Sequence, residues 1–241
     1  MNLRVQANSW PIKMVRSRLS QPVASITFDG FPRSAWTCGG QILARRRAKA
    51  TYYVAGSFCM QRLDELDYFD ADDLRAVYEA GHEIGCQTFW HHQGRPLSSK
   101  ALGADIERNA EFVGDILGDV RLASFAYPYG HATPRTKARL AELFPTARGT
   151  RTGINAGVLD LAQLKAVPLQ RNNWRADKIS SLVEASAAQR AWIIFFSHDV
   201  SEDPSPYGCT PQMLDHALDC LERARVPVLP VKHALARATF G

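Results

Sequence analysis

Short runs of β-branched and aromatic residues recur along this chain, separated by amphipathic helical patterns, and that alternation restricts its fold more than any other feature. It predicts a parallel sheet joined by crossover helices. The candidate strands are Val23–Phe28, Ala50–Ala55, His82–Thr88, Ser124–Tyr129, Leu164–Leu169, Ala191–His198 and Pro227–Val231. Helical spacing covers Asp64–Glu79, Ser98–Leu117, Thr133–Phe144, Asp177–Gln189 and Pro211–Arg223. Ser98 and the pair Thr133-Pro134 suit helix starts, and Gly81 after Ala80 suits a helix end. About seven β/α units result, and periodicity alone leaves both an open doubly wound sheet and a closed barrel standing. No linker rich in Pro, Gly or Ser and no internal repeat divides the chain. The expectation is one domain over residues 1–241, with residues 1–20 as an N-terminal extension.

Composition narrows the function classes. The 241 residues are 46% hydrophobic and 22% charged, and the formal charge of +5 is spread along the sequence, which argues against a nucleic-acid partner. The densest basic run, Arg45, Arg46, Arg47 and Lys49, has no aromatic platform beside it and reads as the cationic end of a helix. Cys38, Cys59, Cys86, Cys209 and Cys220 are odd in number and show no C-x-x-C spacing, which fits a reducing compartment. The first twenty residues hold no signal-peptide run, and no stretch is long and apolar enough for a membrane span. The expected location is cytoplasmic, without a membrane anchor.

In either architecture the chemistry sits where strands end, so the polar residues at those points carry the functional signal. Four ends stand out: Asp29-Gly30 after the first strand, Gln87 through His92 after the third, Tyr127-Pro128-Tyr129-Gly130 after the fourth, and His198-Asp199. They supply carboxylate, imidazole and a free backbone N–H at Tyr129, the inventory of a hydrolase. Plainer roles compete: Asp29 as a turn cap, His198 as a hydrogen-bonded core residue, His91 and His92 as a loop pair. Ser197, His198 and Asp199 alternate across a strand and cannot form a triad with one another. No G-x-G-x-x-G, P-loop, G-x-S-x-G, H-E-x-x-H or Cys/His zinc spacing is present.

These motifs and their order resemble the polysaccharide deacetylases of the NodB-homology class, carbohydrate esterase family 4, from about Val23 to Val231. Thr27-Phe28-Asp29-Gly30-Phe31 stands where that family has T-F-D-D-G, and Gln87-Thr88-Phe89-Trp90-His91 where it has H-T-x-x-H. Ala50–Val54 resembles its second strand, and Gly81–Gly85 the approach to H-T-x-x-H. Tyr127–Gly130 matches a Y-P-Y-G variant of its third motif, with Ala126 where an arginine often stands. Asn173-Trp174 resembles its D-W, and His198 its last catalytic histidine. The resemblance implies a distorted (β/α) barrel of about seven parallel strands with outer helices.

It also implies roles. Asp29 would be the general base, His198 the general acid, and the Tyr129 N–H an oxyanion donor. The family's divalent metal, zinc by resemblance, is held by the second aspartate and both histidines. Here Gly30 and Gln87 replace two of those three ligands, leaving His91, with Gln87 and His92 as weak substitutes and either no metal or a weakly bound one expected. Tyr127, Tyr129, Trp174, Phe31 and Trp90 are the expected contacts for sugar, with Trp36 and Phe89 nearby and the loop Ser201–Thr210 as one rim. The implied partner is a carbohydrate, N-acetylated. Two readings follow: a deacetylase cleaving the N-acetyl C–N bond with weakened metal use, or a metal-free pseudoenzyme that binds glycan or a protein partner.

Overall fold

The structure is a computed structural model and describes residues 10–92 and 97–241. Seven parallel strands form the central sheet: β1 Val23–Asp29, β2 Thr51–Val54, β3 Glu83–Cys86, β4 Ser124–Ala126, β5 Thr146–Arg148, β6 Val167–Pro168 and β7 Trp192–Ser197. Their spatial order is β6-β7-β1-β2-β3-β4-β5. The Leu164 N–H donates to Ala147 O at 2.8 Å and the Gly149 N–H to Leu164 O at 3.0 Å, so the chain entering β6 meets the opposite edge strand. The sheet thereby curls into the expected distorted (β/α) barrel.

Helices α1 Arg33–Thr37, α2 Gly39–Arg45, α3 Ala71–Glu79, α4 Ser99–Leu117, α5 Pro134–Leu143, α6 Ala176–Ala188 and α7 Pro211–Arg223 wrap the outside, and α8 Val231–Phe240 closes the inner core. Ser98 and Thr133 cap α4 and α5 through the Ala101 and Thr136 N–H groups, both at 3.2 Å, and Gly81 follows α3 with φ +83°. The basic run closes α2, where Arg46 pairs with Asp215, Asp219 and Glu222 of α7 at 3.2, 2.6 and 2.8 Å. All five cysteines are unpaired, and no helix among the described residues is long and apolar enough to cross a membrane.

Alternation along the strands separates two cores. Ile26, Phe28, Tyr52, Ile84, Phe125, Ile193 and Phe195 face the helices, whereas Val23, Trp192, Ile194 and Phe196 pack inside with α8 and Leu159–Leu164. Polar side chains share the barrel wall and satisfy one another. The buried Glu83 carboxylate accepts from Thr51 Oγ1 (2.9 Å), Ser124 Oγ (2.8 Å) and the Lys232 N–H (2.8 Å), while Thr51 Oγ1 accepts from the Val231 N–H (2.9 Å). Glu83 and Thr51 therefore hold the first turn of α8, where the helix dipole favours a negative charge.

Four sequence expectations need correction. Pro227–Val231 is not a strand: Val228 makes one bridge to Ala24, and Val231 already opens α8. The seventh strand is instead Thr146–Arg148, too short and polar for its apolar pattern to show. The helix expected from Asp64 begins at Ala71, because Asp64 and Glu65 adopt φ +48° and +66° and turn a hairpin between Arg62–Leu63 and Leu66–Asp67. Pro128 ends the strand expected to reach Tyr129. Within the N-terminal extension, Met14–Arg16 pairs antiparallel with Val158–Asp160, and residues 1–9 lie outside the described residues.

His82, just before β3, is buried, and its Nδ1 accepts the Ala50 N–H at 2.9 Å. Burial, helped by Lys49, pushes its pKa from 6.5 down to about 4. The unfolded chain takes up the proton first as pH falls, so this stability is complete above about pH 6.5 and lost toward pH 4. Urea unfolding is expected to show a loss of roughly 2–3 kcal/mol from this ring between about pH 7 and pH 4.5. His82→Gln is expected to remove that part of the slope, and an unchanged slope would contradict the assignment.

Candidate functional site

A cleft of about 980 Å³ opens at the carboxyl ends of the strands. It gathers Asp29, Gln87, His91, Tyr127, Tyr129, Trp174 and His198, which the sequence scatters over 170 positions. Asp29 ends β1 at 4% exposure and forms an ion pair with the fully buried guanidinium of Arg148, the last residue of β5. The Arg148 guanidinium lies 5.1 Å from the Tyr53 ring and 5.0 Å from the Phe196 ring and donates to Gly149 O at 3.1 Å. Arg148 sits directly across from Ala126 in the strand register, so the cation absent at Ala126 is supplied by its neighbour. No sequence motif marks Arg148; strand register is what reveals it.

The Gly30 N–H, in a left-handed turn at φ +70°, donates to Gln87 Oε1 at 2.7 Å. A Cβ on Gly30 would lie 3.4 Å from the Phe58 ring and 3.5 Å from the Tyr68 ring. Those rings pack 4.7 Å apart, and Phe58 continues at 5.1 Å to His91, which lies 4.8 Å from Tyr129. An aromatic wall thus lies at van der Waals distance beside Gly30.

His91 is held by its N–H, which donates to Thr88 Oγ1 at 3.2 Å, while its buried Nδ1 has no hydrogen-bond partner among the described residues. Burial lowers its pKa to about 4, with the Asp29 charge opposing and His198 reinforcing the shift. The ring is neutral at neutral pH.

His198 follows β7 half-buried, with Nδ1 3.3 Å from Tyr207 O. Asp199 accepts from Ser205 N–H at 2.8 Å and Ser205 Oγ at 2.5 Å, which folds the loop Ser201–Thr210 back so that Tyr207 reaches the cleft rim. Gly208 is required there, since a Cβ would stand 2.2 Å from Asp199 Oδ1. Tyr127 is 3% exposed and spends its hydroxyl on Ala162 O at 2.8 Å, while Tyr129, at φ +55°, stays half exposed. Its N–H has no hydrogen-bond partner among the described residues. Trp174 lines the cleft, its ring nearly perpendicular to that of His216 at 5.5 Å.

Three expected site residues fall elsewhere. Phe31 is fully buried and stacks on Phe69 at 4.9 Å, a core residue rather than a sugar contact. Trp90 is half exposed outside the cleft, against Phe89 and 4.7 Å from the Arg108 guanidinium. His92 is exposed and does not line the cleft. Trp36 and Phe89, the nearby aromatics, pack on the core away from it. Sequence reasoning missed the aromatic wall of Phe58 and Tyr68 and the polar lining Asp64, Gln170, Asn172, Arg175 and Lys178.

The family profile described as polysaccharide deacetylase matches residues 16–144, more than half of the chain. The chain belongs to the polysaccharide deacetylase family. Solved structures of carbohydrate esterase family 4 share its fold. A chitin deacetylase from Colletotrichum lindemuthianum has a TM-score of 0.64 at 18% identity, covering 95% of this chain and 92% of that one. A family 4 pseudoenzyme from Bacillus anthracis scores 0.64 at 13% identity, covering 95% and 71%. The family 4 domain of a multidomain xylanase from the hindgut metagenome of Trinervitermes trinervoides scores 0.61 at 16% identity, covering 90% of each chain. No curated protein matches the sequence.

Members of the polysaccharide deacetylase family use a divalent metal, and the residues of this cleft do not fit one. Gly30 offers no donor atom, the Gln87 carbonyl oxygen is taken by the Gly30 N–H, and His91 is the one imidazole left from the expected ligand set. A catalytic zinc needs about three protein ligands. No group of three His, Cys, Asp or Glu suited to a metal occurs among the described residues.

Two measurements test this geometry. A metal supplied at a hundred times its dissociation constant adds about 2.7 kcal/mol to native stability. Zinc or EDTA is therefore expected to leave the thermal midpoint unchanged, and a rise of several degrees with zinc would contradict the poor fit. Arg148→Met is expected to cost about 3–5 kcal/mol in urea unfolding by leaving Asp29 buried and unpaired. Asp29→Asn with Arg148→Met is expected to recover most of it, whereas additive losses would show that the two charges do not act as a pair.

Proposed function

We propose that this polysaccharide-deacetylase-family protein binds N-acetylated carbohydrate in the cleft without metal-dependent hydrolysis. The observation that carries the reading is the rebuilt ligand set: Gly30 has no side-chain donor, its N–H bonds Gln87 Oε1 at 2.7 Å, and one imidazole, His91, remains. Asp29, the expected general base, lies at the cleft in an ion pair with Arg148. His198 stays at the cleft as a polar group able to hydrogen-bond sugar.

The cleft retains what glycan binding requires. Its volume of about 980 Å³ lies at the upper end of the range for ligand pockets, about 300–1,000 Å³, and leaves room for more than one sugar ring. Trp174, Tyr129 and Tyr207 offer partly exposed aromatic faces, and Gln170, Asn172 and Asn173 offer amide groups to hydroxyls. Five unpaired cysteines support a reducing, cytoplasmic setting.

The test pairs titration calorimetry with an acetate-release assay on N-acetylchitotetraose, with and without zinc. Binding without release is expected, and Trp174→Ala is expected to weaken it about tenfold by removing an aromatic face worth roughly 1 kcal/mol or more. Zinc-stimulated acetate release would overturn the proposal in favour of a working deacetylase.

A further inference from the structure

The chain leaving Trp174 brings two cations to the cleft. Arg175 and Lys178 both line it, as the N-cap and the third residue of α6, a spacing that sets them on one side of the first turn. Both are exposed, and the Lys178 ammonium makes no hydrogen bond or ion pair among the described residues. Arg175 engages only its Nε, 3.5 Å from Asp177 Oδ1, so its two terminal amino groups are open. Arg171, four residues earlier, is by contrast tied down by Asp203 Oδ1 at 2.5 Å and Pro204 O at 3.2 Å.

Helix stability does not account for this placement. A helix N-terminus favours acids and disfavours cations, and its N-cap is normally a short polar side chain that accepts an N–H. Arg175 makes no such cap bond, and Asp177 is the one acid in the first turn. The carboxylates of the cleft do not neutralise the two cations either. Asp29 is paired with Arg148, and Asp64 stands near Tyr68 and Tyr129, where its charge adds to burial in raising both hydroxyl pKa values. Positive charge is therefore concentrated on the wall that carries Trp174.

We infer that Arg175 and Lys178 form an anion-recognising rim beside Trp174, which selects N-acetylated glycans that also carry a carboxylate, as a uronic acid residue does. The two terminal amino groups of a guanidinium match the two oxygens of a carboxylate, and lysine adds a mobile point charge. This rests on the glycan-binding reading and names the class of sugar which that reading leaves open. Because both cations are exposed, salt screens the gain.

The test titrates the whole chain with a hyaluronan tetrasaccharide, which alternates glucuronate with N-acetylglucosamine. The same tetrasaccharide with its carboxyls reduced to hydroxymethyl groups, and N-acetylchitotetraose, are the neutral comparisons. The acidic sugar is expected to bind about tenfold more tightly than its reduced counterpart at about 20 mM salt, the advantage shrinking to about twofold at about 0.5 M. Arg175→Gln with Lys178→Gln is expected to erase that advantage. Taking cations from a helix N-terminus is expected to keep or raise the thermal midpoint, which separates lost recognition from lost fold. Equal binding of the acidic and reduced sugars, tighter binding of the reduced one, a preference that survives the double substitution, or binding of N-acetylchitotetraose alone overturns the rim and leaves glycan binding standing. Binding of none of the three overturns the glycan reading and the rim with it.

Discussion

Asp29 and Arg148 meet almost without exposure to water, although they end strands β1 and β5, which stand four places apart in the sheet. In a flat sheet that separation would be roughly 19 Å. The ion pair exists because the sheet curls and both side chains point to the inside of the curve. Burying two charges is costly unless they find each other, so once the chain has placed them there the curl and the pair enforce one another. The flanking rings of Tyr53 and Phe196 fix the guanidinium from either side, and the cleft opens directly above.

The ligand positions govern what the cleft can do. A hydrolase of the resembling kind would need about three protein ligands to hold its metal. Here those ligand positions are occupied by a glycine turn, an amide bonded to that turn and one imidazole. The changes are mutually consistent. Gln87 bonded to Gly30, whose turn lies beside the Phe58 and Tyr68 rings, presents a neutral surface where the family has metal ligands.

Much of this was legible in the sequence. The long apolar strands β1 and β7 and the capped helices α4 and α5 follow their patterns closely, because burial and capping are local signals. The placement of Asp29, Gln87, His91, Tyr129, Trp174 and His198 at one cleft follows from the rule that strand ends converge. Arg148 was invisible because a three-residue strand carries no periodicity and its partner lies 119 positions away. Phe31 misled for the opposite reason: an aromatic beside a motif looks like a ligand contact, yet its left-handed turn at φ +57° swings the ring into the core against Phe69. Phe58 and Tyr68 were missed because what matters about them is the space they fill beside Gly30, a property of the assembled fold.

The most direct test is a crystal structure of the whole protein grown with excess zinc and N-acetylchitotetraose, with anomalous data collected at the zinc edge. The account predicts sugar density on Trp174 and no zinc peak beside His91. An anomalous peak about 2.1 Å from His91 with two further protein donors would contradict it.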